Sequence, residues 1–308
     1  MTLIGILLIG SACSTSGVGG TPPTAALGSP GQVPPTEIPS GRVETDITYC
    51  QPDGLDLYLD LYYPPQEQGR YATLVFLHGG SWRSGSKAEV VTLPDFPSLQ
   101  DAGYLIASVD YRLAPAYKFP AQIEDVKCAV RFLKANAGTY QIDPNRIGAI
   151  GTDAGGHLAA LLGVTSAEDG LEGSGGYPEF SSSIKLVIAF SPPIFLSQNN
   201  PGMTAQVFEE VFGVSSGQTG ILLNATPLHY VDRNDSAFLV FHGDSDQLIT
   251  KENSIAFTNQ LRQAGTEAFL VLVQNGGHDL HRVTIDTIPS REQITRILLD
   301  FLNEQFQP

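Results

Sequence analysis

The stretch "GTDAGGHLAALLG", Gly151–Gly163, decides how the rest of this chain is read. The run leading into it, "RIGAIGT" at 146–152, has the short apolar character of a buried strand, and from Ala154 onward the small and apolar residues suit a helix. Between the two sits a Gly-x-x-x-Gly turn, the kind of strand-to-helix corner that holds one side chain exposed at the carboxyl end of a sheet. A serine hydroxyl is the usual occupant of its centre. Here the central residue is Asp153, a carboxylate.

Working outward, β-rich runs alternate with helical patterns, which predicts an α/β domain whose mostly parallel sheet is covered by helices. "ITYC" (47–50) and "LDLYLDLYY" (55–63) read as an opening antiparallel pair, and "ATLVFLHGG" (72–80) as a buried strand. A helix-like stretch near 87–101 precedes the strand "YLIASVDYR" (104–112). Ile123, Val126, Val130, Leu133 and Ala137 fall at 3-4-3-4 spacing and place one apolar stripe on a helix over 120–137. Further strands are "IKLVIAF" (184–190), "AFLVFHG" (237–243) and "AFLVLVQ" (268–274), with helices over 250–264 and 289–304. The stretch 194–235 reads as the largest insertion.

In such sheets the chemistry gathers at the carboxyl ends of strands, and the polar signals of this chain stand there. "HGGSW" (78–82) offers glycines whose backbone can approach a substrate oxygen closely. Asp153 opens a helix, so the Ala154 amide points to the same place. "HGDSD" (242–246) supplies Asp246, with Asp244 as a second candidate, and "NGGH" (275–278) sets His278 just after the last strand. The order nucleophile position, acid, histidine is that of the α/β-hydrolase fold. Of the other histidines, His78 and His242 are expected to bond local backbone, and His157 to face a helix start.

These stretches, with "DYRLAPAYKFPAQIEDVKCAVRFLKANAGTYQIDPNRIGAIGTDAGGHLAALLG" (110–163), "ATPLHYV" (225–231), "HGDSDQLI" (242–249) and "NGGHD" (275–279), carry a resemblance. The chain is similar to the esterase/lipase group of α/β-hydrolases related to hormone-sensitive lipase, and more closely to its bacterial feruloyl-esterase-like and acetyl-esterase-like branch. The resemblance implies a central, mostly parallel eight-stranded sheet flanked by helices and hydrolysis of small-molecule or glycan-linked esters. It implies Asp246 as the triad acid, His278 as the base, and Gly79, Gly80, Ser81 and Ala154 as the oxyanion hole. Asp153 departs from the serine of that family.

Three readings of Asp153 follow. As a nucleophile it would attack saturated carbon, as in epoxide or halide hydrolysis, and leave an alkyl ester for water activated by His278. Attack on an ester carbonyl would have to expel an alkoxide and leave a mixed anhydride, an uphill step. The leaving-group partners of that chemistry are missing: residue 154 is alanine, the only tryptophan is Trp82, and 194–235 contains only Tyr230. As a fixed anion beside backbone N–H groups, Asp153 would instead pair with His278, and the scaffold would bind without turnover. A third reading takes serine as the ancestral or native residue and Asp153 as an engineered or sequencing change. Phe96, Phe195 and Phe208 are candidates for an apolar substrate pocket.

Composition narrows the partners. Acidic residues outnumber basic ones by 32 to 17 with no basic cluster, which excludes nucleic acid as an expected partner. "HDLH" (278–281) has two histidines without a third ligand, so no metal is expected, and the "GGS" near residue 80 lacks the spacing of a phosphate loop, so no cofactor is expected. The N-terminus "MTLIGILLIGSACSTSGVGG" resembles a bacterial lipoprotein signal: residues 1–12 are the signal segment, Cys13 the lipid-bearing residue, and 13–42 a Pro/Gly/Ser/Thr-rich linker ahead of a single domain over 43–308. An exported protein lipid-anchored to the cell envelope is the expectation. Two cysteines in an exported chain could pair, but Cys50 and Cys128 fall in a predicted strand and a predicted helix, so buried thiols are expected.

Overall fold

The computed structural model describes residues 41–93, 95–196, 201–215, 220–280 and 286–307. Residues 1–12, expected as a signal segment, Cys13 and nearly all of the expected linker lie outside the described residues, as does His281. Among those described, eight strands form one sheet in the order β1-β2-β4-β3-β5-β6-β7-β8. They are β1 (Val43–Cys50), β2 (Leu57–Tyr62), β3 (Tyr71–Leu77), β4 (Leu105–Val109), β5 (Ile142–Thr152), β6 (Leu186–Phe190), β7 (Ala237–Gly243) and β8 (Ala268–Val273). β2 runs antiparallel to both its neighbours, and the pairings from β4 through β8 are parallel. This is the α/β-hydrolase sheet expected from the sequence.

The central strands are near-continuous apolar runs because both of their faces are covered. Alternation sorts their side chains: Val75 and Leu77 of β3 and Val187 and Ala189 of β6 enter one core, while Leu74 and Phe76, Leu186 and Ile188 enter the other. Helices α2 (Ala121–Ala135), α3 (Ala154–Val164), α4 (Ala205–Phe212) and α6 (Glu252–Ala264) pack on the first core. The short helix α1 (Phe96–Asp101) and the C-terminal α7 (Arg291–Gln305) pack on the second; α5 (Gly220–Asn224) lies within the insertion. Where one helix was expected near 87–101 there are two short pieces, a 3₁₀ turn over Lys87–Thr92 and then α1. Pro97 is the second residue of α1, where its missing backbone donor is tolerated, whereas the middle of one longer helix would need that donor.

Helix α3 is buried at all eleven positions, which its small residues permit. A Cβ added at Gly155 would lie 2.0 Å from the Leu77 carbonyl oxygen, and one at Gly163 would lie 2.6 Å from Val187 Cγ2. The helix therefore rests on the sheet at a distance that larger residues forbid.

The cysteines correct an expectation. Cys50 and Cys128 are joined in a disulfide across 78 residues, with their Cα atoms 6.4 Å apart. Their assignment to a strand and a helix argued for separate buried thiols, but the end of β1 and the middle of α2 pack against each other. Separate elements in the chain become opposed surfaces within disulfide range.

Candidate active site

Strand β5 ends at Thr152, Asp153 adopts φ 49° and ψ −120°, and α3 starts at the next residue. A positive φ in a residue with a Cβ is strained and presents the side chain at the apex of the corner. The glycines on either side are steric requirements: a Cβ at Gly151 would sit 2.3 Å from the Gly155 carbonyl oxygen. Asp153 N–H donates to the Phe190 carbonyl at 3.0 Å, which ties the apex to the end of β6.

The loop after β3 wraps this apex. Gly80 has φ +97°, Ser81 φ 52° and Trp82 φ 59°, and the loop closes through Arg83 N–H to the Gly80 carbonyl at 3.0 Å. His78 is stacked on Tyr111 at 4.2 Å, and the Tyr111 hydroxyl donates to the His78 carbonyl at 2.8 Å, so the start of the loop is braced from β4's exit. The Gly80 and Ser81 N–H groups both donate to Asp153 Oδ2, at 3.1 and 3.0 Å. The Ala154 N–H, first of α3, also favours the ionised form of the Asp153 carboxyl. Gly79 lies one residue earlier: a Cβ there would come within 3.3 Å of Asp153 Cβ, so it contributes close approach to the apex.

Asp246 and His278 meet because the loops after β7 and β8 interlock. A Cβ at Gly243 would fall 2.2 Å from the Gly276 carbonyl oxygen, and Ser245 N–H donates to that same oxygen at 2.9 Å. The Asp246 side chain is fully buried; its Oδ1 accepts the N–H groups of Leu248 and Ile249 at 2.8 and 2.9 Å, and its Oδ2 accepts His278 Nδ1 at 2.8 Å. Asp244, the second candidate, turns away to accept the Ser245 hydroxyl and the Asn275 N–H, both at 2.9 Å. On its other side His278 faces Asp153, Nε2 to Oδ1, at 3.6 Å.

The electrostatics follow from this row of charges. Burial opposes ionisation of Asp153, but the His278 ring beside it, the charge of that ring and the N–H groups of Ser81 and Ala154 hold its carboxyl below the ordinary value. Burial likewise opposes charge on Asp246, and the His242 and His278 rings against its Oδ2 more than reverse this, placing it well below the carboxylate range. For His278 burial disfavours the imidazolium, yet the two flanking carboxylates push its pKa up to about 10. At neutral pH the row is carboxylate, imidazolium, carboxylate.

The remaining candidates separate. Phe208 is buried in the first core with Phe212 beneath Trp82, while Phe96 packs edge-on to Tyr62 at 5.4 Å in the second core, on the opposite face of the sheet, and so is not a pocket residue. Phe195 stands near Asn253, whose Oδ1 accepts its N–H at 2.7 Å. Trp82 is 2% exposed, edge-on to His157 at 5.0 Å, and the Tyr230 hydroxyl donates to the Asn224 carbonyl at 2.8 Å, so neither of the leaving-group partners considered for an aspartate nucleophile is presented freely at the apex. His157 bonds the Ala225 carbonyl through Nε2 at 2.7 Å, and burial pushes its pKa down to about 4. His242, expected to bond local backbone, does so at the Ile249 carbonyl, 2.9 Å from Nε2, but the same nitrogen also lies 3.3 Å from Asp246 Oδ2. Sequence reading missed this second contact. Among the described residues no group of three His, Cys, Asp or Glu side chains is arranged to hold a metal ion.

Comparison with known proteins agrees with the geometry. The BD-FAE family profile matches residues 59–261. An ethyl acetate hydrolase of Pseudomonas putida is 38% identical over 253 residues, covering 78% of this chain and 76% of that protein. Esterase LipQ of Mycobacterium tuberculosis is 31% identical over 72% of this chain. The chain spans about half the length of the mycobacterial esterases it matches, 53% in that case. A truncated form of a carbohydrate esterase from gut microbiota superposes with a TM-score of 0.77 at 27% identity, over 88% of this chain and 98% of that one. With a family match over most of the sheet and its helices, this chain belongs to the BD-FAE family of α/β-hydrolase esterases.

Proposed function

We propose that this chain is an exported, lipid-anchored carboxylic ester hydrolase of small-molecule or glycan-linked esters, whose acyl-transfer machinery is held off by Asp153. In this reading Asp246 orients His278, the N–H groups of Gly80, Ser81 and Ala154 form the oxyanion hole, and Gly79 lets that loop approach. What supports it most directly is the seat of the Asp153 carboxylate, with Oδ2 3.1 and 3.0 Å from two N–H donors. A permanent negative charge sits where the charge of a tetrahedral intermediate would develop.

Two consequences follow for turnover. Direct attack by Asp153 on an ester carbonyl would form an anhydride, and His278, already protonated between two carboxylates, has no free lone pair with which to take a proton from water. The same charge row favours a second reading, in which the site binds esters as a catalytically silent protein. Export draws support from the Cys50–Cys128 disulfide, since such bonds persist in oxidising compartments, and from the lipobox-like "GSAC" ending at Cys13.

Hydrolysis of p-nitrophenyl acetate and butyrate by the full chain tests the proposal, with Asp153→Ser and His278→Ala beside it. A serine restores a hydroxyl nucleophile and frees the hole, so kcat/KM is expected to rise about 10⁴-fold or more, the order lost when one triad member is removed. A silent Asp153→Ser variant that still folds would overturn the latent-esterase reading. A wild type that turns over in a His278-dependent way at the rate of the serine variant would make Asp153 itself the nucleophile.

A further inference from the structure

Beneath the pair formed by Asp246 and His278 lies a second histidine that the hydrolytic reading does not use. His242 is at the end of β7, fully buried, four residues before Asp246 on the same turn. The Ile249 carbonyl can only accept, so the proton of this ring is on Nε2, the nitrogen that also faces Asp246 Oδ2 at 3.3 Å. Nδ1 is then left to accept, and the Ser254 hydroxyl, on α6, lies 2.7 Å from it. Asp246 Oδ2 thus stands between two imidazoles, His242 from below and His278 from above, while Oδ1 is held by two backbone N–H groups.

We propose that His242 is a positioning residue: its Nε2–H fixes the rotation of the Asp246 carboxylate so that Oδ2 aims at His278 Nδ1, and Ser254 fixes the tautomer that makes this possible. The physical reason is that a buried carboxylate with unfilled acceptor sites has other ways to turn. The carboxylate turns as one plane about Cβ–Cγ, so the two N–H groups on Oδ1 set its coarse rotation, and the His242 Nε2–H, shared with the Ile249 carbonyl and 3.3 Å from Oδ2, narrows what rotation is left on the side that His278 meets. Through Ser254 this contact conveys the rigidity of α6 to the histidine that carries the proton. The charged groups facing this unit are Asp246 and His278, with Asp153 beyond them, and Glu252 at the start of α6, close enough to interact with the His242 ring.

This role rests on the hydrolase reading only for its use in catalysis, and the test separates the two. The first measurement follows the His278 ring by NMR through a pH titration in the full chain, which needs no turnover. In His242→Leu the His278 midpoint is expected to fall by about one pH unit as Asp246 loses its aim, a change worth a tenfold difference in proton affinity. His242→Gln, whose amide N–H reaches the place of Nε2–H, should restore the wild-type midpoint, whereas the shorter His242→Asn should not. The second measurement places the same substitutions on Asp153→Ser, where kcat should fall about 10- to 100-fold in the Leu variant with KM unchanged, as expected when a reacting group is misaimed. An unchanged midpoint in a folded Leu variant, or equal losses in Gln and Asn, would overturn the proposal, and the Gln and Asn pair decides it if Leu does not fold. If Asp153→Ser is silent while the midpoint moves as stated, the positioning role stands and the hydrolase reading fails.

Discussion

Exchanging Asp153 for asparagine removes one negative charge and almost no volume, so the effect should appear first in the proton affinity of His278. The two side chains approach to 3.6 Å, and both keep some contact with solvent, 23% for Asp153 and 14% for His278. At such a separation a charge pair is worth about 1 kcal/mol in water and about 4 kcal/mol at the effective dielectric of a protein surface. The midpoint of His278, about 10 in the wild type, should therefore drop by roughly 1–3 pH units in Asp153→Asn. The assay is an NMR titration of the ring carbon-bound protons in both proteins.

The same shift controls stability. Below the unfolded-state value of 6.5 the ring is protonated whether the chain is folded or not, and the stabilisation by its two carboxylates is complete. Between 6.5 and about 10 the native state retains a proton that the unfolded state has lost, so stability falls as pH rises through that window. In Asp153→Asn the window closes earlier and the fall is smaller. A wild-type midpoint near 6.5, or a midpoint indifferent to the substitution, would refute the charge row on which the latent-site reading depends.

Two further outcomes test the scaffold. Reducing or deleting the Cys50–Cys128 disulfide, which closes a 78-residue separation, should cost about 2–4 kcal/mol, read as a lowered melting temperature with reductant, and an unchanged melting temperature would contradict it. Gly155→Ala should cost about 3 kcal/mol or more and lower soluble yield, because its methyl would sit 2.0 Å from the Leu77 carbonyl oxygen and push α3 off the sheet. Circular dichroism melts of the purified variant measure it.

Much of the site was legible because each of its parts is a local corner. A strand followed by glycines marks the loop at Gly79 and Gly80, the apex at Asp153, the turn before Asp246 and the approach to His278, and the parallel sheet brings those corners to one edge. Where sequence reading erred, the answer depended on packing between elements. Phe96 stands in a helix close in sequence to the loop at Ser81, yet the sheet separates them, because α1 covers the opposite face. The choice of Asp246 over Asp244 rested on resemblance, and two residues of turn geometry settle which one His278 meets.

The sequence by itself determined the class of the fold, the order of its strands and helices, and the identity of Asp153 at the apex, because hydrophobic period, glycine placement and side-chain type are all local properties of the chain. Only the tertiary structure decided what those residues do to one another. It put Asp153 Oδ2 onto the N–H groups of Gly80 and Ser81, set His278 between two carboxylates, placed His242 under Asp246 and closed Cys50 onto Cys128. Each of these depends on distances of a few ångströms between segments distant in sequence, and Coulomb energies, hydrogen bonds and disulfides are all decided at that range.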